Sequence, residues 1–193
     1  MKNNSDSKEK ILTAASRLFQ TKGYNATGLN EILKESESPK GSLYYYFPNG
    51  KDELALEAIK LSSQFIQTGI KNALAKYSNP IEAIQYNIKC IIESLEEGNS
   101  QNISIGLLAL ETHLNNEPLR EACKEAFWAI ENIYAEKLIK NGLSEEVAQE
   151  MSSIILAMIE GSITLSVTQK NYLGLKAVSK QIGVLLGHYF SSK

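Results

Sequence analysis

The chain has 193 residues, of which 43% are hydrophobic, and a formal net charge of −2 at pH 7. This length is sufficient to bury a core in one compact domain, or in a small domain joined to a larger one. The balance of charges excludes a strongly basic or acidic protein. Residues 1–60 carry nine basic against eight acidic side chains and residues 61–193 carry eleven against fourteen, which permits nucleic-acid binding by the first part without predicting it.

The N-terminal residues are polar and no apolar segment follows them, so the sequence predicts no signal peptide. The most apolar stretch, residues 154–167, is short and contains Glu160, which argues against a membrane span. We therefore expect a cytoplasmic protein without a membrane partner.

The residues that usually carry catalysis or bind metals form no recognisable pattern. Cys90 and Cys123 are isolated, and with only two histidines in the chain they offer no metal-ligand spacing. The sequence contains no glycine-rich phosphate loop and no arrangement of nucleophile, base and orienting residue. We expect neither an enzyme nor a cofactor or metal site.

Apolar residues at helical spacing, separated by capping and helix-breaking residues, predict an all-α fold of about nine helices. In chain order the predicted helices cover about residues 7–22, 28–34, 39–47, 51–77, 80–98, 103–114, 118–141, 145–170 and 174–190. Thr27 is interpreted as the cap of the second helix, and Pro39 as the first residue of the third. No segment alternates like a β-strand, and no internal repeat is present.

The second and third predicted helices are about two turns each and are joined by about three residues. This is the geometry of a helix-turn-helix, whose second helix can enter the DNA major groove. Leu43 and Phe47 are four residues apart and share a face, so we expect them to pack inward. The residues left facing outward or at the tip are Pro39, Lys40, Gly41, Ser42 and Tyr45. Spacing alone also allows a purely structural helical hairpin.

Three consecutive tyrosines occupy the third predicted helix. Gly41 precedes them and costs a helix about 1 kcal/mol relative to alanine, but it allows close approach to a duplex. The lysine and the serine on either side of it can then reach base edges. Tyr45 points into the groove, while Tyr44 and Tyr46 flank the inward face and can offer their hydroxyls to phosphates.

Residues 8–60 resemble the DNA-binding domain of the TetR family of bacterial transcriptional regulators. The matching features are an apolar first helix, G-Y-x-x-T at residues 23–27, G-x-L-Y-x-x-F at residues 41–47 and K-x-x-L at residues 51–54. The P-N-G segment at residues 48–50 contains one extra residue, a feature that resembles the drug- or flavonoid-responsive LmrA/YxaF-like branch of the family. The sequence of residues 109–166 resembles the same branch. Histidine is common in the family where Tyr46 stands here.

The resemblance implies a DNA contact for each residue that matches the family pattern. Thr27 would cap the second helix and touch a phosphate. The residues expected at base edges are Lys40, Gly41, Ser42 and Tyr45. The residues expected on the DNA backbone are Tyr44, Tyr46 and Lys51, and Ser38 and Pro39 complete the predicted set.

Residues 1–50 are predicted to bind DNA and residues 51–193 to bind an effector and dimerise, with the helix 51–77 connecting them. The last two predicted helices carry apolar residues at a spacing near seven, which suits either the core of one chain or a homodimer interface. The resemblance favours the dimer. The candidate interface residues are Gly161, Leu175, Val178, Ile182, Leu185, Leu186 and Tyr189.

The fourth to eighth predicted helices are expected to enclose a small effector. The candidate pocket residues are Phe65, Tyr86, Cys90, Leu108, Glu111, Phe127, Trp128 and Met158. Most of these side chains suit an ordinary core equally well. Glu111 stands in the apolar run 105–114 and either has a buried partner or lies on a solvated edge.

These observations together predict a ligand-responsive, homodimeric repressor that releases a palindromic DNA operator when a small lipophilic or aromatic effector binds. The alternative from a different class is a helical protein–protein interaction module with a structural helix-turn-helix. Repression and activation share the same DNA contacts, so these residues do not distinguish them.

Overall fold

A computed structural model of the chain describes residues 3–98 and 104–190. Within these residues there are nine helices and no strand, which confirms the predicted all-α fold. The helices are α1 (Asn3–Lys22), α2 (Leu29–Glu35), α3 (Lys40–Tyr46), α4 (Lys51–Leu74), α5 (Pro80–Glu96), α6 (Gly106–Thr112), α7 (Glu117–Lys140), α8 (Glu145–Gln169) and α9 (Leu173–Phe190). The predicted start of the sixth helix, Ile103, lies outside the described residues.

Local capping chemistry explains several of these boundaries. The Asn79 side chain accepts the N–H of Ile81 at 2.8 Å and starts α5. Ser144 accepts the N–H of Val147 and starts α8. Pro39 was predicted to be the first residue of the third helix. It is instead the N-cap residue, with φ −66° and ψ 146°, and α3 begins at Lys40. The prediction that α1 begins near residue 7 is wrong, because the helix already begins at Asn3.

The capping role predicted for Thr27 is also wrong. Gly28 is the N-cap residue of α2, with φ −95° and ψ 148°. The Thr27 hydroxyl turns back and donates to the carbonyl of Gly23 at 2.7 Å, and its side chain is 1% exposed. Thr27 therefore closes the α1–α2 turn, which we define as residues 23–28. Its contact with a phosphate stays a prediction.

The chain divides into two compact units. The head unit comprises Met1–Phe65 and Ser104–Ala126, and the body unit comprises Ile66–Ile103 and Phe127–Lys193. The head unit thus contains α1 to α3, α6 and parts of α4 and α7. These boundaries describe packing, and the predicted division of functions at residue 50 stays a prediction.

In the head unit, α1 packs against both α2 and α3. Leu43 and Phe47 are 0% and 1% exposed, which confirms that they pack inward. A buried polar seam lies between α1 and α4, where the hydroxyls of Ser16 and Ser62 are 2.9 Å apart and the Gln20 amide donates to Ser62 at 2.5 Å. These hydrogen bonds fix the register of α4 against α1.

In the body unit, α9 packs against α5 and α8. Leu175, Ile182 and Leu186 are each 0% exposed within the single chain, so assigning these three residues to a dimer interface was wrong. Their apolar stripe faces the core of the same chain. Among the described residues, α8 alone is long and apolar enough to cross a membrane, a property that core helices of soluble proteins share.

Candidate nucleic-acid interface

The outward side of α3 carries the side chains that were predicted to meet DNA. Tyr45 is 72% exposed and Tyr44 is 47% exposed, and Pro39, Lys40 and Gly41 are exposed as well. A Cβ added to Gly41 would meet nothing within 4 Å. Packing within the chain therefore gives no reason for a glycine at this position.

The remaining predicted residues of this segment are less accessible. Ser38, Ser42 and Tyr46 are half-buried, and the Ser38 hydroxyl donates to the carbonyl of Ser36 at 3.1 Å. The ring of Tyr46 packs edge-on against Tyr45, with 4.9 Å between the ring centroids. This packing restricts both rings and lowers the conformational entropy that an intermolecular contact would cost.

Two ammonium groups lie near opposite ends of α3. The Nζ of Lys40 is 5.9 Å from the ring centroid of Tyr44, and the Nζ of Lys8 is 5.8 Å from that of Phe47. Neither lysine forms an ion pair with another described residue. By contrast, Arg17 and Lys22 of α1 pair with Glu35 and Glu31 of α2. Lys8 was missed because it is distant from α3 in sequence.

Lys51 begins α4 and lies against Tyr24 of the α1–α2 turn. Its Nζ is 4.2 Å from the Tyr24 ring centroid, and burial lowers the pKa of Lys51. The Tyr24 hydroxyl donates to the carboxylate of Asp52, and burial together with this hydrogen bond raises the pKa of the phenol. Tyr24 and Asp52 were missed, although the Gly-Tyr pair of the motif was a usable signal.

Glu111 was predicted either to have a buried partner or to lie on a solvated edge, and its partner is the backbone of the α1–α2 turn. It belongs to α6 in the head unit, and its Oε2 accepts the backbone N–H of Tyr24 and, at 3.3 Å, that of Asn25. The carboxylate thus binds the α1–α2 turn. The side chain is half-buried and satisfied by these N–H donors.

The other predicted pocket residues are distributed over both units. Phe65 and Leu108 belong to the head unit, whereas Tyr86, Cys90, Phe127, Trp128 and Met158 belong to the body unit. Leu108 is 1% exposed and part of the core, while Phe65 and Trp128 are 55% and 64% exposed. The structure brings Tyr86 and Cys90 together, and the neighbouring thiol raises the pKa of the Tyr86 phenol. Tyr77 joins them, with its ring centroid 5.4 Å from that of Tyr86.

None of the eight predicted pocket residues lines either of the two described cavities. One cavity lies in the body unit at the C-terminal ends of α4 and α7, has a volume of about 580 Å³, and is lined in part by Lys71, Tyr77, Ile133, Lys137 and Lys140. The other, of about 490 Å³, lies in the head unit between α1 and the turn after α2. The position of an effector site stays a prediction.

The remaining candidates for a dimer interface lie on the accessible side of α8 and α9. Gly161 is exposed, Tyr189 is 41% exposed, and Val178 and Leu185 are half-buried. Sequence reasoning missed other exposed apolar side chains in the same helices, namely Leu165, Val167, Leu173 and Val184.

A short helix with an aromatic and cationic outer side, packed through Leu43 and Phe47 against two helices, is the arrangement of a helix-turn-helix DNA-binding protein. Residues 11–58 match the family described as bacterial regulatory proteins, tetR family. Residues 80–181 match the family described as transcriptional regulator LmrA/YxaF-like, C-terminal domain.

Relatives extend this similarity over nearly the whole chain. The HTH-type transcriptional regulator LmrA of Bacillus subtilis is 48% identical over 184 residues, which cover 94% of this chain and 97% of that protein. The uncharacterized HTH-type transcriptional regulator YxaF of the same organism is 47% identical over 187 residues, with coverage of 96% and 98%. A TetR transcriptional regulator from Legionella pneumophila shares the fold, with a TM-score of 0.81 at 23% identity over 92% of this chain and 96% of that chain.

The chain therefore belongs to the TetR family of bacterial transcriptional regulators. It is a DNA-binding regulator with a helix-turn-helix, not an enzyme.

Proposed function

We propose that the protein is a cytoplasmic, homodimeric repressor that binds a palindromic operator and releases it when a small lipophilic or aromatic effector binds. The observation that carries the proposal is the outward side of α3, where Lys40, Gly41 and Tyr45 are exposed while Leu43 and Phe47 anchor the helix. Such a helix can lie in the major groove with its outer side chains at base edges.

The flanking groups supply contacts to the DNA backbone in this proposal. Lys8 and Lys40 carry ammonium groups that have no carboxylate partner among the described residues. These groups can therefore contact DNA phosphates without breaking an ion pair within the protein. The hydroxyls of Tyr44 and Tyr46 add phosphate contacts on the two sides of the groove. Lys51 keeps its ring contact with Tyr24 and directs its free N–H donors to a phosphate.

The dimer is proposed to form through the accessible sides of α8 and α9. The exposed apolar residues Leu165, Leu173 and Val184 provide surface that a second copy can cover, and Gly161 allows close approach of two helices. Two heads fixed on one dimer can read the two halves of a palindrome. In this proposal residues 1–50 read DNA, and residues 51–193 carry the effector site and the interface.

The effector is proposed to bind among α4 to α8. The half-exposed group of Tyr77, Tyr86 and Cys90 in the body unit offers aromatic contacts to a lipophilic compound. To reverse operator occupancy, the effector must favour the non-binding state by a few kcal/mol.

The test begins with DNA from immediately upstream of the protein's own gene, footprinted at two salt concentrations. We expect a protected, approximately palindromic site whose affinity falls as salt increases. Lipophilic and aromatic compounds are then titrated into the complex, with operator release and the fluorescence of the exposed Trp128 as readouts. Lack of protection above random DNA, here and in a selection from a random DNA pool, would contradict specific operator binding. Failure of the whole panel to release the operator would contradict the effector response.

A further inference from the structure

The α1–α2 turn is held from outside the helix-turn-helix by one side chain of α6. Both N–H groups that Glu111 accepts, those of Tyr24 and Asn25, point at the same oxygen, Oε2. These N–H groups follow the end of α1, where the chain leaves the helix with a φ of +84° at Gly23. A carboxylate that accepts backbone N–H groups makes stronger hydrogen bonds than a neutral acceptor.

The shape of the turn fits this carboxylate closely. A Cβ built on Gly23 would lie 2.4 Å from Oε1 and 2.6 Å from Cδ of Glu111. The carboxylate therefore fills the space that any other residue at position 23 would need. Gly23 is required both for its positive φ and for this close approach.

The same turn is also tied to the start of α4. Tyr24 packs on Phe19 with 5.8 Å between ring centroids, lies under the Lys51 ammonium and donates to Asp52. The turn thus joins α1, α4 and α6 within the head unit. It ends at Gly28, the N-cap residue of α2, so its position determines where α2 begins.

We propose that Glu111 is a positioning residue for DNA binding: it ties the α1–α2 turn to α6 and thereby sets the position of α2 and α3 against the operator. Helix α6 is then a functional part of the DNA-binding head, although about 60 residues separate it from α3. The inference rests on operator binding in the proposed function, but not on the effector response.

The test compares two substitutions of Glu111, one that removes the charge of the side chain and one that shortens the side chain. In Glu111→Gln the amide oxygen can still accept both N–H groups, because a single oxygen accepts them in the native protein. In Glu111→Asp the carboxylate keeps its charge but is one methylene too short to reach the turn. With an operator selected from a random DNA pool, we expect Glu111→Asp to raise the Kd about tenfold and Glu111→Gln to stay within about threefold of the native protein.

The contact itself is measured without DNA. Amide hydrogen exchange at residues 24 and 25 should accelerate strongly in Glu111→Asp and only slightly in Glu111→Gln, whose neutral oxygen accepts the same N–H groups more weakly. All measurements are made well below the unfolding temperature, so that a loss of stability alone leaves the Kd of the folded protein unchanged. Glu125→Gln, an exposed charge change in the same unit, is the matched control and should leave both readouts unchanged.

Each negative outcome has a distinct meaning. Unchanged exchange in Glu111→Asp overturns the contact, and faster exchange with an unchanged Kd overturns the positioning role. Failure of the native protein to select any operator contradicts the proposed function instead.

A second arm uses Gly23→Ala, alone and combined with Glu111→Ala. The added methyl group displaces the carboxylate in the native background, whereas truncation of Glu111 removes the three atoms nearest to that methyl group. The strain that alanine meets at the positive φ of position 23 is common to both backgrounds. We therefore expect the increase in Kd caused by Gly23→Ala to be several times smaller in the Glu111→Ala background. Equal increases in both backgrounds would overturn the proposal.

Discussion

Helices α3 and α9 carry similar sequence signals but use them in opposite ways. In α3 helical spacing predicted an outward face, whereas in α9 it allowed either a core or a dimer interface and the family resemblance favoured the interface. In α3 that face is accessible, with Tyr45 72% exposed, whereas in α9 three of the supposed interface residues, such as Ile182, are 0% exposed. Helical spacing identifies which residues share a face. It does not determine whether that face packs on the same chain or meets another molecule.

Replacing Ile182 in α9 tests the buried side of this comparison, and we expect the largest effect there. Ile182→Ala removes a fully buried side chain and should lower the free energy of unfolding by about 2–5 kcal/mol, as measured by urea denaturation at fixed protein concentration. Lys176→Ala, at an exposed position of the same helix that is not assigned to the interface, is the control and should change this free energy much less. A weakened dimer with unchanged stability in Ile182→Ala would restore the interface interpretation.

The exposed side of the comparison is tested at α3. Tyr45→Ala and Lys40→Ala should each weaken operator binding by about 1–3 kcal/mol while leaving thermal unfolding nearly unchanged. The control Lys34→Ala removes an exposed charge from α2 in the same unit. If Tyr45→Ala and Lys40→Ala both bind the operator with the affinity of the native protein, as the control should, α3 does not read the bases.

The two cysteines give the smallest effect and extend the comparison to reactivity. Cys123 is buried, and burial raises the pKa of its thiol to about 11, so little thiolate forms at pH 8. We expect iodoacetamide to modify the half-buried Cys90 in the native protein and Cys123 only after unfolding, as read by peptide mass spectrometry. Modification of Cys123 first would contradict the burial described for the head unit.

Local chemistry made most of the fold predictable. Caps such as Asn79 and Ser144 act through N–H groups two or three residues away, so the sequence alone reveals them. Thr27 was misassigned because two adjacent residues could precede α2, and packing of the α1–α2 turn decided between them. The inward packing of Leu43 and Phe47 followed from their spacing on a short helix.

The site was less predictable, because its contacts join distant parts of the chain. Glu111 binds the amide of a residue 87 positions earlier, and no local pattern encodes such a pair. Lys8 and Phe47 are likewise brought together only by the packing of α1 on α3. The predicted effector pocket would depend on the shape of a cavity, which one sequence does not specify.

The hydroxyl pair of Ser16 and Ser62, with its Gln20 donor, defines how the DNA-reading part could be transplanted between regulators. A chimera joined at residue 50 would replace Ser62 with a residue of another protein. Ser16 and Gln20 would then lose this hydrogen-bond partner. The exchangeable segment has to extend beyond Ser62 and must bring residues 104–126 with it. New operator specificities are therefore obtained more simply by replacing side chains on α3 than by exchanging whole domains.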